Sequence, residues 1–289
     1  MAKETRSLSG KVVAITGGGR GIGRAIAQAL AREGALVAVG DLDVAAAETV
    51  AAELGGQALG LSLDVTDHAG FTGFLDEVES KLGPLDILVN NAGIMPVTPL
   101  AEESPASVAR QLEINLHAVI HGTQEAMRRM VPRRTGHIVQ LASIAGRNGF
   151  PHLATYCATK HGVVGFSEAV RKELRSTGVE ISVVMPSIVR TELTAGLTEA
   201  RGVKSVSADD VADYVIGALK KPRFDVFVPR STGPLVAIGS ALPRRAREAL
   251  VRLLKADEAL LKTDRGARAA YEARAAASAP AAESERETV

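Results

Sequence analysis

Apolar positions along this chain follow two alternating rhythms. Short runs such as Lys11-Val-Val-Ala-Ile-Thr16 and Leu36-Val-Ala-Val-Gly40 carry β-branched residues without polar alternation, as strands buried on both faces do. Longer stretches between them place apolar residues three and four apart, the period of a helix with one buried face. The pattern predicts strands at 11–16, 36–40, 58–63, 86–89, 137–141, 181–184 and 225–228. It predicts helices at 22–32, 43–54, 68–82, 105–130, 154–177 and 208–219, the last opened by Ser207 as N-cap with Asp209 and Asp210 in its first turn. Strands alternating with helices imply an α/β domain: a doubly wound, mostly parallel seven-stranded sheet with helices on both faces and right-handed crossovers. Ligand-binding residues of such a sheet collect at the carboxyl ends of its strands.

The rhythm changes beyond Pro229. Ser231 to Leu242 reads as an apolar connector punctuated by Gly and Pro. Arg244 to Lys262 reads as a helix with Leu250, Leu254 and Leu261 on one side and basic residues opposite. That stripe needs a partner surface, and packing on the domain or another subunit is preferred over a basic helix lying on a membrane. From Ala275 the Ala/Ser/Glu composition suggests a disordered tail. The expected organisation is a domain over 1–230, a helical extension over 231–274 and a tail over 275–289.

Chemistry enters with Ser143, Tyr156 and Lys160. A tyrosine is a poor base at neutral pH, its pKa being about 10. Lys160, four residues on, shares the tyrosine's helix face, and its charge is expected to lower that pKa. Ser143 can hold a substrate oxygen beside the phenol. Tyr-x-x-x-Lys alone is common, so its weight depends on context. That context is Gly17-Gly-Gly-Arg20-Gly21-Ile22-Gly23, set between the first strand and a helix N-terminus, where backbone can approach a pyrophosphate and the helix dipole favours its charge. Asp41 ends the second strand and can accept both ribose hydroxyls while repelling a 2′-phosphate. Arg20 argues the other way, for NADP, and Asp41 is judged to prevail.

These motifs, in this order, resemble those of the short-chain dehydrogenase/reductase family, over about Leu8 to Pro229. The resemblance implies a Rossmann fold with Gly17, Arg20, Gly21, Ile22 and Gly23 in the cofactor loop. Asp64 and Val65 would lie near the adenine. Asn91, Ala92 and Gly93, in Asn90-Asn91-Ala92-Gly93, would form the signature after the fourth strand. Asn115 would complete a tetrad with Ser143, Tyr156 and Lys160 on a proton path. Lys160 would also grip the nicotinamide ribose beside Tyr156, and Pro186, Ile188 and Thr191 would contact the nicotinamide carboxamide. Ser187 departs from the family's usual Pro-Gly and lacks glycine's freedom at positive φ, so an altered loop is expected there.

Composition narrows the partners. Lys and Arg total 34 against 33 Asp and Glu, and aromatics are 3%, which argues against a nucleic-acid partner. One cysteine, Cys157, permits no internal disulfide; it reads as a small buried residue in a reducing, cytoplasmic setting. The N-terminal residues lack the apolar core of a signal peptide, and no apolar run is long enough to span a membrane. The six histidines are scattered, and His117 and His121 are read as structural, so no metal is expected.

The resulting expectation is an NAD-dependent oxidoreductase of apolar secondary alcohols or their ketones, with Tyr156 as general acid/base and a homodimeric or homotetrameric assembly. Its pocket would be lined by Ile94, Met95, Val97, Leu100, Phe150, Leu153, Leu193 and Leu197; Arg147, Arg190 and Arg201 lie near it in sequence. The alternatives are a non-catalytic NAD-binding regulatory or scaffold protein and, further off, a related epimerase or dehydratase.

Overall fold

A computed structural model describes residues 5–196, 205–243, 245 and 264–278. Seven strands form one parallel sheet: β1 (Val12–Thr16), β2 (Leu36–Asp41), β3 (Leu59–Ser62), β4 (Ile87–Asn90), β5 (Gly136–Leu141), β6 (Val179–Pro186) and β7 (Asp225–Val228). Their spatial order is β3-β2-β1-β4-β5-β6-β7. The order reverses between β1 and β4, and at that reversal a crevice opens outside the carboxyl ends of the strands.

Strand side chains alternate between two cores. Val13, Ile15, Val37 and Val39 pack on one face under α1 (Gly21–Arg32), α2 (Val44–Leu54) and α7 (Ala208–Lys220). Val12, Ala14 and Leu88 pack on the other under α3 (His68–Leu82), α5 (Ala118–Met130) and α6 (Ala154–Glu173). This double burial explains why the strand sequences show no polar alternation.

The run 105–130, expected as one helix, is divided. Helix α4 (Pro105–Leu112) passes into one π-helical turn, Glu113–His117, before α5 begins. Such turns are frequent at functional sites, and Asn115 lies in this one. Helix α6 ends at Glu173 rather than residue 177.

One buried polar chain crosses the second of these packing layers. Asn90 Nδ2 donates to Gln140 Oε1 at 2.9 Å, and Gln140 Nε2 donates to Thr123 Oγ1 at 2.7 Å, joining β4, β5 and α5.

The C-terminal region departs most from expectation. Thr232–Ala241, read as a connector, is helix α8, with Leu235 63% and Ile238 58% exposed. The leucine stripe Leu250, Leu254 and Leu261 lies outside the described residues, as does Arg201. Helix α9 (Arg265–Ala277) is capped by Asp264, which accepts from the amides of Gly266 and Ala267. It runs through the first three residues of the segment read as tail, because Ala275 is buried in the core. Residues 279–289 are outside the described part.

Candidate active site

The glycine turn sits where the topology places a ligand. Gly17 has φ +63°, and a Cβ there would come within 2.9 Å of Ala92 Cα. A Cβ on Gly23 would fall 2.3 Å from the Gly17 carbonyl oxygen, so only glycine lets α1 start this close to β1. Thr16 Oγ1 accepts from the amides of Asn91 and Ala92, each at 3.0 Å, while Asn91 Nδ2 donates to the carbonyls of Thr16 and Gly17. The loops after β1 and β4 are therefore one hydrogen-bonded unit. Arg20, at the N-cap of α1, makes no side-chain cap, which leaves the first amides of the helix as open donors.

Asp41, at the end of β2, is held from two sides: Oδ2 accepts from the Gly19 amide at 2.9 Å and Oδ1 from the Asp43 amide at 3.0 Å. Arg20 pairs with Asp43 and lies 3.9 Å from Glu192, so both its neighbours are acidic. Asp64, beyond β3, accepts from the amide and hydroxyl of Thr66 with Oδ1, and Val65 beside it is buried.

The expected tetrad residues converge on the carboxyl ends of β4 and β5. Asn115 clamps Ile94: Oδ1 accepts from its amide and Nδ2 donates to its carbonyl, both at 2.8 Å. A Cβ on Gly93 would lie 3.1 Å from Asn115 Oδ1 and 3.7 Å from Lys160 Nζ, which brings the Gly93 backbone, Asn115 and Lys160 together. Lys160 is buried, donates to the Leu141 carbonyl at 2.8 Å and lies 5.6 Å from the centre of the Tyr156 ring. Burial lowers its pKa to about 8.

Tyr156 corrects one expectation. Burial pushes its phenol above the ordinary value; the Ser143 hydroxyl pulls it partly back, and Tyr271 pushes it further up. Desolvation of a fully enclosed phenol outweighs the expected effect of Lys160, whose ammonium is committed to Leu141.

Pro186 closes β6 and is buried, followed by Ser187, Ile188 and Thr191 in the loop beyond. The departure at Ser187 costs the loop nothing in backbone conformation. Among described non-glycine residues, positive φ occurs only at Arg134, His152 and Ser176. Ser187 instead buries a hydroxyl that has no partner among the described residues. That orphaned group, the glycine cradle and the open helix amides fit a dinucleotide lying across the crevice.

Met95, Val97, Phe150, Leu153 and Leu193 cluster with Tyr156 and Cys157, as expected of pocket walls. Ile94 belongs to the core under the sheet, Leu100 is exposed, and Leu197 is outside the described residues. Two arginines are occupied elsewhere: Arg147 pairs with Glu168 and Asp225, and Arg190 donates to Ser205. His121 stacks on His68 at 4.2 Å and His117 faces Glu113. No metal-ligating cluster occurs among the described residues.

Sequence reasoning missed helix α9, which lies across the site. Arg268, 1% exposed, donates to the carbonyls of Met95, Leu193 and Ala195 and to Glu272. Tyr271 Oη accepts from the Met95 amide at 2.6 Å. A signal existed: Tyr271 is the one aromatic residue beyond Phe227, and it lies between Arg268 and Glu272, a pair spaced i,i+4.

Strand order, glycine turn and the buried Tyr156/Lys160 pair define an oxidoreductase of the Rossmann type that works with a nicotinamide dinucleotide. A family model described as short chain dehydrogenase matches residues 11–202, and the chain belongs to that family. It is 38% identical over 192 residues to the 3-oxoacyl-(acyl-carrier-protein) reductase FabG of Haemophilus influenzae, covering 66% of this chain and 79% of that protein. It is 39% identical over 186 residues to a sorbitol dehydrogenase of Cereibacter sphaeroides, covering 64% and 73%. A crystal structure of a short chain dehydrogenase/reductase from Burkholderia phymatum in complex with NAD superposes with a TM-score of 0.74 at 27% identity, covering 80% of this chain and 93% of that one.

Proposed function

We propose that the protein interconverts a secondary alcohol and its ketone with NAD, and that Tyr156 exchanges the proton at the reacting oxygen. The observation that carries this is the meeting of the Ser143 and Tyr156 hydroxyls beside buried Lys160, at the carboxyl end of β5. Bound NAD supplies the hydride chemistry. The chain's residues bind, orient and move the proton.

Ser143 donates to the substrate oxygen and fixes it against the phenol. In reduction, Tyr156 gives its proton to the carbonyl oxygen as the carbon gains hydride. In oxidation, the alcohol proton passes to Tyr156 as the carbon loses hydride. Lys160, with a pKa near 8, is poised to pass a proton onward, and Asn115 holds the Ile94 backbone that shapes this passage. The dinucleotide would be held by Gly17, Arg20, Gly21, Ile22 and Gly23 at its phosphates, Asp41 at the adenosine ribose, and Asp64 and Val65 near the adenine. Asn91, Ala92 and Gly93 would form its floor, Tyr156 and Lys160 would hold the nicotinamide ribose, and Pro186, Ile188 and Thr191 the carboxamide.

Asp41 supports NAD over NADP because a 2′-phosphate would face its carboxylate. The cluster around Met95, Phe150 and Leu153 supports an apolar substrate. A dimeric or tetrameric assembly in the cytoplasm completes the reading, and light scattering at micromolar concentration tests the assembly: a stable monomer refutes it. The function is tested by screening purified protein with NAD against apolar secondary alcohols. Tyr156→Phe should abolish turnover and keep NAD binding; a variant retaining most of the wild-type rate removes Tyr156 from the mechanism.

A further inference from the structure

Helix α9 is built into the pocket. Arg268 ties together the loops after β4 and β6 by donating to Met95, Leu193 and Ala195. A cation this deeply buried persists because four of its five N–H donors are engaged, by three carbonyls and Glu272. Glu272 also accepts from the Val97 amide, and Arg274 pairs with Glu192. The Asp264 amide donates to the Gly196 carbonyl at 2.9 Å, which fixes the helix start against the loop after β6. The helix therefore grips both walls of the cleft.

Tyr271 is the group that this grip presents to the site. Its oxygen accepts from the Met95 amide, and Met95 packs in the same cluster as Tyr156. The Arg268 guanidinium lies over the Tyr271 ring, 5.0 Å from its centre, and sets the ring's orientation. The two phenols interact electrostatically, and desolvation raises both, Tyr271 to about 12. Its oxygen is used as an acceptor, yet its own proton goes to no acceptor among the described residues. A half-buried O–H, held by the Met95 amide next to the Tyr156 cluster and accepted by no described residue, is suited to a polar atom of the ligand.

Resting on the oxidoreductase reading above, we propose that Tyr271 is a specificity-determining residue that donates a hydrogen bond to a second oxygen of the substrate, adjacent to the reacting carbon. The substrate class is then a compact alcohol or ketone with a neighbouring hydroxyl or carbonyl, enclosed under α9. The walls remain apolar, so the second oxygen is the feature that Tyr271 selects. A site built to bond a substrate oxygen discriminates strongly against the analogue that lacks it.

The experiment measures NAD-dependent oxidation of cis-1,2-cyclohexanediol and of cyclohexanol by the full chain. Wild type should prefer the diol by roughly tenfold or more in kcat/KM, the scale of one hydrogen bond at about 1.4 kcal/mol. Tyr271→Phe should erase that preference mainly through a higher KM for the diol, with cyclohexanol kinetics little changed. Glu272→Gln loosens the same helix without touching the phenol and should keep the preference, which separates substrate contact from support of α9. Equal preference in wild type, an unchanged ratio in Tyr271→Phe, or equal loss of preference in Glu272→Gln overturns the role of Tyr271 and leaves the oxidoreductase reading standing. Oxidation of neither alcohol by wild type overturns that reading for compact substrates, and this inference with it.

Discussion

Asn115 satisfies the whole backbone of Ile94, accepting from its amide and donating to its carbonyl at 2.8 Å each. The π-helical turn Glu113–His117 places the side chain so that both bonds close at once. Asn115→Leu keeps the branched outline and leaves two buried backbone groups unpaired, at about 1–3 kcal/mol each. Urea unfolding should show a loss of roughly 2–5 kcal/mol together with lower turnover. A variant as stable as wild type would show that Ile94 finds other partners.

Lys160 makes stability depend on pH in a defined direction. Its pKa is about 8 in the folded chain against 10.5 for the free side chain. Below pH 8 both states carry the proton, and the fold bears the full cost of a desolvated charge. Between those values the unfolded chain binds more protons, so stability rises with pH. The gap between wild type and Lys160→Met should therefore move in wild type's favour by roughly 2 kcal/mol from about pH 7.5 to about 9.5. Denaturant curves at the two pH values check this, and a constant gap would mean that Lys160 titrates normally.

Asp41 both supports the Gly19 amide and faces the expected ribose. Asp41→Asn keeps an acceptor for that amide and removes the charge that repels a 2′-phosphate. Calorimetric titration should show the preference for NAD over NADP shrinking by about tenfold, or ~1.4 kcal/mol. Tighter NADP binding by wild type would instead assign the 2′ position to Arg20.

Gly23→Ala tests the close approach of α1 to β1. A Cβ 2.3 Å from the Gly17 oxygen must displace the turn. NAD affinity should fall at least tenfold, about 1.4 kcal/mol, with most of the sheet intact by circular dichroism. Unchanged affinity would mean that the turn plays no part in binding.

The parts of this molecule that were legible in sequence are those specified locally. The β1 strand, its glycine turn and α1 announce themselves because only glycine fits Gly17 and Gly23, and because strands buried on both faces leave continuous apolar runs. Ser143, Tyr156 and Lys160 were legible through spacing and Asn115 through its resemblance to the family's helix asparagine, and the fold brings them together. The π turn was not, since its extra residue is stabilised by a tertiary bond to Ile94 and has no local signature. Helix α8 was hidden by Gly233, Pro234 and Gly239, which read as breaks. Helix α9 was hidden by distance: Tyr271 meets Met95 from 176 residues away, and an Ala/Arg-rich segment gives no hint of its destination. The raised pKa of Tyr156 is unreadable because it comes first from tertiary burial, with Tyr271 adding to it electrostatically from the far end of the chain.

The amide chain from Asn90 through Gln140 to Thr123 has a consequence for how the central strands find each other. Asn90 stands opposite Gln140 in the β4/β5 ladder, so the side-chain bond forms only in this alignment. A shift of either strand by one residue would turn one amide toward the opposite apolar layer and strand its partner without a mate. The neighbours Leu88, Val89, Ile138 and Val139 are all branched aliphatics and would tolerate several alignments almost equally well. The polar pair acts as a proofreading mark within an otherwise ambiguous sequence: it penalises each mispaired sheet, and so aligns the strand ends from which the catalytic crevice is made.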